Sequence, residues 1–182
     1  MTSNRCTIAL ASHWKGLVPF SKLHMVALCP LSEACSAALC PGHQAAGDEE
    51  RKGVIIDPDE QQEVPNSKGG MANFLLKFPG DKGPSSLRVL SAEEIKADKK
   101  LKVEVRAQTA ADTEMVPMIV MECRGMEPIA WHPSGNYVAE AESGTRFEDV
   151  KLDQGDDWCE YDEKGGVSMT IGAKITYEIR RV

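Results

Sequence analysis

The last strand-length segment of the chain constrains its fold most. From Ala173 to Arg180 apolar and polar residues alternate without a break: Ala173, Ile175, Tyr177 and Ile179 against Lys174, Thr176, Glu178 and Arg180. A period of two puts successive side chains on opposite faces of a strand, so this pattern describes a half-buried strand. Ile175, Tyr177 and Ile179 are therefore expected to line a core and to face the strand that holds Met118–Met121. Leu101–Gln108 repeats the pattern, with Leu101, Val103, Val105 and Ala107 on one side. An amphipathic helix would space its apolar residues three and four apart, which neither segment does.

The intervening chain breaks into further short apolar runs. Val54-Ile55-Ile56 stops at Asp57-Pro58-Asp59, Met71–Phe78 stops at Pro79-Gly80-Asp81, and Ser86–Leu90 is strand-length. Val116–Cys123 is almost continuously apolar and suits a strand covered on both faces. Ser91-Ala92-Glu93-Glu94 has capping-box spacing with room for a turn or two of helix. Short strands between Gly, Pro and Asp turns predict an all-β sandwich or barrel of antiparallel strands.

At 182 residues the chain makes one domain or two small ones sharing a core. Aromatic residues are only 5%, so the core must rest on Val, Ile, Leu and Met. A net charge of −7 argues against a nucleic-acid partner, which calls for a basic face. No apolar run reaches the roughly 18–20 residues of a membrane helix, so no membrane association is expected. The chain opens on no clean signal peptide, which favours a reducing cytoplasmic setting, with the nucleus also open to it, and unpaired thiols.

Residues 1–46 differ in character. Residues 1–47 hold Arg5, Lys15 and Lys22 against Glu33, a net of +2, and four of the six cysteines (Cys6, Cys29, Cys35, Cys40). Pro30, Pro41 and Gly42 interrupt them, and no period persists. This stretch is expected to be an irregular N-terminal extension outside the core, or a wrongly assigned start.

A dense set of motifs follows. It includes Cys123-Arg124-Gly125-x-Glu127-Pro128, Glu142-Ser143-Gly144-Thr145, Phe147-x-Asp149 and Asp157-Trp158-x-x-Tyr161-Asp162-Glu163-Lys164. Upstream stand Asp57-Pro58, Glu63-x-Pro65-x-Ser67-x-Gly69 and Ala72-Asn73-Phe74. From about residue 47 to the end, this string resembles the eukaryotic CXXC-motif-containing zinc-binding protein family. The resemblance implies two similar antiparallel β-sandwich halves packed as one compact unit, at residues 47–98 and 99–182. It also implies a non-enzymatic protein that binds zinc and works through protein contacts.

The family's zinc rests on two CXXC pairs, whose four thiolates give Zn²⁺ a tetrahedral shell. The second pair would follow Asn73-Phe74-Leu75-Leu76-Lys77, where this chain has Phe78-Pro79-Gly80-Asp81. The first would lie just before Gly47, at His43 and Ala46. Cys40, His43 and Asp81 can each donate to a metal, and Cys40-x-x-His43 has knuckle spacing. Ala46 and Phe78 cannot donate. The expectation is a degenerate CXXC site, with zinc absent or weakly bound.

Two other features could carry function. Cys123 with His132 would make a thiol site, the basis of an alternative reading as an enzyme. Residues 140–163 hold ten acids against Arg146 and Lys151. They offer a docking face for a basic protein, with Trp158 and Tyr161 as core pins or aromatic anchors. No phosphate-binding loop, nucleophile elbow or His-Glu-x-x-His is present. The sequence thus predicts no catalytic residues and a non-enzymatic interaction module.

Overall fold

A computed structural model describes residues 3–12, 23–28, 35–41, 50–109, 112, 114–132, 137–151, 156–171 and 175–182. Three strands come first: β1 (Ser3–Ser12), β2 (Leu23–Leu28) and β3 (Cys35–Pro41). Then come β4 (Arg51–Ile56), β5 (Gln62–Glu63), β6 (Met71–Ala72), β7 (Phe74–Leu76), β8 (Ser85–Val89) and a short helix α1 (Ala92–Ala97). The remainder is β9 (Val116–Arg124), β10 (Met126–His132), β11 (Tyr137–Ala141), β12 (Arg146–Val150), β13 (Trp158–Asp162), β14 (Val167–Ile171) and β15 (Ile175–Arg181). The fold is all-β, and every strand pair among the described residues is antiparallel.

The largest sheet runs β15-β1-β9-β8-β7; two three-stranded sheets run β10-β3-β4 and β12-β11-β2. The five-stranded sheet joins β7 and β8 from residues 47–98 to β9 and β15 from 99–182, so the two stretches share one sheet. Between them lies a core of aliphatic and methionine side chains around Trp131 and Tyr137, with Leu87, Met121, Met126 and Ile171 fully enclosed. Among the described residues no helix is long and apolar enough to cross a membrane.

The irregular extension expected at residues 1–46 is corrected by this topology. β1 lies between β9 and β15, with Ile8 opposite both Ile119 and Ile179. β3 lies between β10 and β4, and its Leu39 is wholly buried. A strand flanked on both sides has no need to alternate, so a short apolar run suffices and periodicity cannot reveal it.

Two other expectations change. Leu101–Ala107 keeps the alternating burial, Gln108 is buried as well, and the segment forms no strand, with one backbone bond from Arg106 N–H to the Pro117 carbonyl of β9 at 3.4 Å. Val103 and Val105 pack on a second small cluster of Leu90, Ile95, Leu101 and Val120. Alternation reports which side faces the core, and among the described residues no strand ladder accompanies it here. At β15, Ile179 packs on the main core while Tyr177 is exposed. β15 is the sheet's edge and β1 separates it from β9, so Tyr177 has no Met118–Met121 strand to face. The side chain of Ile175 lies outside the described residues.

Local chemistry explains the remaining breaks. The Met71–Phe78 run divides at Asn73, which is buried and turned to backbone work. Its Nδ2 donates to the carbonyls of Asp57 (3.1 Å), Pro58 (2.8 Å) and Glu60 (3.1 Å), and its Oδ1 accepts from Val89 N–H at 2.8 Å. The helix starts as its spacing predicts. Ser91 accepts from Glu94 N–H while the Glu94 carboxylate accepts from Ser91 N–H, a complete capping box.

Candidate functional site

Phe78-Pro79-Gly80-Asp81, the segment aligned with the second zinc pair, forms a closed turn. Asp81 N–H donates to the Phe78 carbonyl at 3.2 Å, and Gly80 sits at φ +84°. Proline second and a left-handed glycine third are the marks of a type II turn, so the reversal needs no ligand to hold it. Phe78 is buried in the main core. Beside the turn a cleft of about 310 Å³ is bounded by Glu50, Arg51, Leu76, Lys77, Phe78 and Pro79.

At this turn the described side chains offer zinc one oxygen donor. Asp81 supplies a half-buried carboxylate, but the Phe78 position offers only carbon, packed where a thiolate would stand. His43 and Ala46 lie outside the described residues, as does the Cys40 side chain; the Cys40 backbone pairs with Glu127 on β10. Of the trio Cys40, His43 and Asp81, only the Asp81 side chain is therefore placed. Among the described residues no three His, Cys, Asp or Glu side chains gather as a metal shell.

Cys123 is wholly buried in the core cluster. A nucleophilic thiol must reach substrate, and this one has no exposed surface. His132 closes β10, in a different sheet from the β9 of Cys123, and its side chain lies outside the described residues.

The acidic segment is built around one carboxylate. Asp162 is buried at the end of β13. It accepts from Thr145 Oγ1 (2.6 Å) and Lys164 N–H (3.1 Å) on one oxygen and from Ser143 Oγ (2.7 Å) on the other. The Thr145 hydroxyl, then the Ser143 hydroxyl, with the Gly165 and Lys164 N–H groups, hold its pKa below the ordinary carboxylate value against the opposing effect of burial. Glu142-Ser143-Gly144-Thr145 and Tyr161-Asp162-Glu163-Lys164, remote in sequence, thus close on each other.

Around this buried acid seven other carboxylates turn outward. Glu142, Glu148, Asp149, Asp156, Asp157, Glu160 and Glu163 are all exposed. The two aromatics divide their roles. Trp158 is half-buried and meets Phe147 edge-on, centroids 5.5 Å apart at 73°, against the core. Tyr161 stands 56% exposed.

Sequence reasoning missed a chain of charges along β8 and β9. Arg88 pairs with Glu94 and, at 3.1 Å, with Glu122, whose second oxygen meets Arg124 at 3.1 Å. The signal was the run of side chains facing one way on paired strands, since Arg88 sits directly opposite Glu122 in the register.

The eukaryotic family described as CXXC motif containing zinc binding protein matches residues 42–180. The human CXXC motif containing zinc binding protein is 44% identical over 69 residues, covering 37% of this chain and 42% of the human one. A Schizosaccharomyces pombe UPF0587 protein is 32% identical over 96 residues, covering 52% and 59%. The matched segment thus spans less than half the length of the human relative. Among solved structures, the crystal structure of C1orf123 superposes with a TM-score of 0.76 at 21% identity, covering 98% of this chain and 99% of that one. A hypothetical protein from Plasmodium falciparum gives 0.73 at 21% identity, covering 97% and 99%. These last two establish the shared fold alone. With most of its length matched and its motifs gathered in one all-β fold, this chain belongs to the eukaryotic family of CXXC motif containing zinc binding proteins.

Proposed function

We propose that this chain is a non-enzymatic protein-interaction module whose zinc site is degenerate and whose acidic segment, residues 140–163, docks a basic protein. The observation that carries the docking reading is the division between Asp162 and Tyr161. The carboxylate that would be costly to move is locked by hydroxyls, while the adjacent ring stands exposed amid outward carboxylates. An exposed aromatic in a segment rich in exposed carboxylates suits an arginine or lysine side chain. The degenerate reading rests on the carbon-only donor set at Phe78 and Ala46. The reading places the chain in a reducing cytoplasmic setting, with the nucleus also open, where the exposed thiol of Cys159 would stay unpaired.

The test is titration of the whole chain with an arginine- and lysine-rich peptide, compared with Tyr161→Ser and with Glu160→Gln/Glu163→Gln. Both variants should weaken binding, and raising salt should weaken it in the unaltered chain. Equal affinity in all three chains would overturn the reading. Cys123 buried in the core leaves the alternative thiol enzyme without an accessible nucleophile.

A further inference from the structure

A second feature, made of residues separate from the acidic face, has the build of a ligand site. The family-matching loop after β5 and the paired ends of β8 and β9 enclose a cleft of about 610 Å³. That volume lies within the usual range of small-molecule sites, about 300–1,000 Å³. Val64 and Met71 supply apolar surface, and Met71 is 42% exposed although it sits on a strand. The loop is preformed. Val64 N–H donates to Gly70 O at 2.8 Å, and Ser67 Oγ donates to Val64 O at 2.7 Å and accepts from Gly70 N–H at 2.9 Å. A side chain at Gly70 would strike Ser67 Oγ at 2.8 Å, so glycine there is part of the wall.

The charges in the cleft select the ligand. Glu94, Arg88, Glu122 and Arg124 alternate in sign along one chain of ion pairs. Both oxygens of Glu122 are engaged, and so are both terminal nitrogens of Arg88. Arg124 is different: among the described residues only its Nη2 is bonded, at 3.1 Å to Glu122, and its side chain is 61% exposed. The rest of its planar fork is available to a carboxylate. Because the chain of pairs is already neutral, a monoanion adds one charge beside Glu122. A dianion such as phosphate would add two and meet stronger repulsion from the same carboxylate.

We propose that this cleft binds a small monoanionic carboxylate bearing an apolar group, with the carboxylate on Arg124 and the apolar group against Val64 and Met71. Two sources share that chemistry, the C-terminal residue of a peptide and an alkyl carboxylic acid.

The experiment is an NMR titration of the whole chain, following the amides of Gly69, Gly70 and Arg124. The probes are N-acetyl-leucine, octanoate, N-acetyl-leucinamide and inorganic phosphate. Shifts that saturate with either acid and not with the amide support the site. The tighter acid tells peptide terminus from alkyl acid. Arg124→Gln should weaken that acid about tenfold or more. Arg124→Lys, which keeps the charge and loses the fork, should fall between. Met71→Ser should weaken it less than Arg124→Gln does. Arg124 and Met71 are both exposed, so these variants are expected to fold, which their unperturbed spectra would verify. Equal binding of acid and amide, displacement of the acid by equimolar phosphate, no saturation up to about 10 mM acid, or unchanged affinity in Arg124→Gln would each overturn the proposal.

Discussion

Ser143 Oγ donates to Asp162 at 2.7 Å and so ties the turn after β11 to the end of β13, two segments with no backbone ladder between them. Thr145 and the Lys164 N–H complete the set, which makes Asp162 the joint of the acidic face.

Stability should therefore fall in acid by way of this group. The hydrogen bonds hold the folded-state pKa of Asp162 below its ordinary value. A carboxylate shifted down stabilises the fold fully above the unfolded pKa, about 4. That contribution is lost as pH drops through this range toward the lower folded value. Asp162→Asn should lower the urea midpoint at pH 7 and flatten its dependence on pH between about 5 and 3. Gly165→Ala should destabilise the same joint, because a Cβ there would lie 2.3 Å from Asp162 Oδ2. An unchanged pH profile in Asp162→Asn would show that other carboxylates govern acid unfolding.

Asn73 should be one of the costliest single positions to truncate. Its side chain serves three carbonyls of the 57–60 turn and the buried N–H of Val89. Asn73→Ala removes the donor and the acceptor together and leaves the buried Val89 N–H and three partly buried carbonyls without them, at about 1–3 kcal/mol for each that water cannot reach. A total loss of about 3 kcal/mol or more is expected in chemical denaturation. Asn73→Asp should restore only the bond from Val89, since a carboxylate offers no donor to the carbonyls. A loss under about 1 kcal/mol for Asn73→Ala would mean that the turn carries itself.

Gly125 is held to glycine for two separable reasons. It joins β9 to β10 at φ +75°, and an added Cβ would come within 2.5 Å of Ser85 Oγ, the atom that donates to the Gly125 carbonyl at 2.9 Å. Gly125→Ala carries both the left-handed backbone cost, about 1–2 kcal/mol, and the clash. Adding Ser85→Gly removes the clash together with the hydrogen bond to the Gly125 carbonyl. The double variant should therefore be less destabilised than the sum of the two singles, with the backbone cost and the lost hydrogen bond left over. Strict additivity would mean that the close approach relaxes freely.

The sequence made the strands legible where one face meets the core or where a long apolar run fills a central position, as at Val116–Cys123 and Ser85–Val89. It also marked the start of the helix, because Ser91 and Glu94 interact within one turn and need no distant partner. It concealed β1 and β3, whose pairing depends on strands far along the chain. It misled at Leu101–Gln108, where the alternation through Ala107 records sidedness without a strand and Gln108 is buried. The motifs named the family, yet nothing local showed that Ser143 and Thr145 would meet Asp162, or that Arg88 and Arg124 would share Glu122. The second contact comes from strand register and the first from the packing of separate sheets, neither of which a single chain of letters displays.

The metal position gives the last expectation. Phe78, which the resemblance sets at a thiolate's place, is buried, and the turn that follows closes through Asp81 N–H and the left-handed Gly80. Two consequences separate a lost site from a hidden one. First, Phe78→Cys alone should destabilise by about 2–4 kcal/mol, since it removes most of a buried ring and supplies one thiolate without a shell. A working site would instead gain from an added ligand. Second, cysteines at positions 43, 46, 78 and 81 together should recover zinc and recover stability with it, because metal affinity acts as folding free energy. The Pro79-Gly80 reversal is already the tight turn that a Cys-x-x-Cys knuckle requires, so the backbone at that half needs little change. The deciding measurement is metal content of the unaltered protein after mild chelation. Substoichiometric zinc, with a thermal midpoint unmoved by chelator, is the expected result. Retention of one zinc per chain would show that Cys40, His43 and Asp81 still form a working shell around a position that Phe78 does not block.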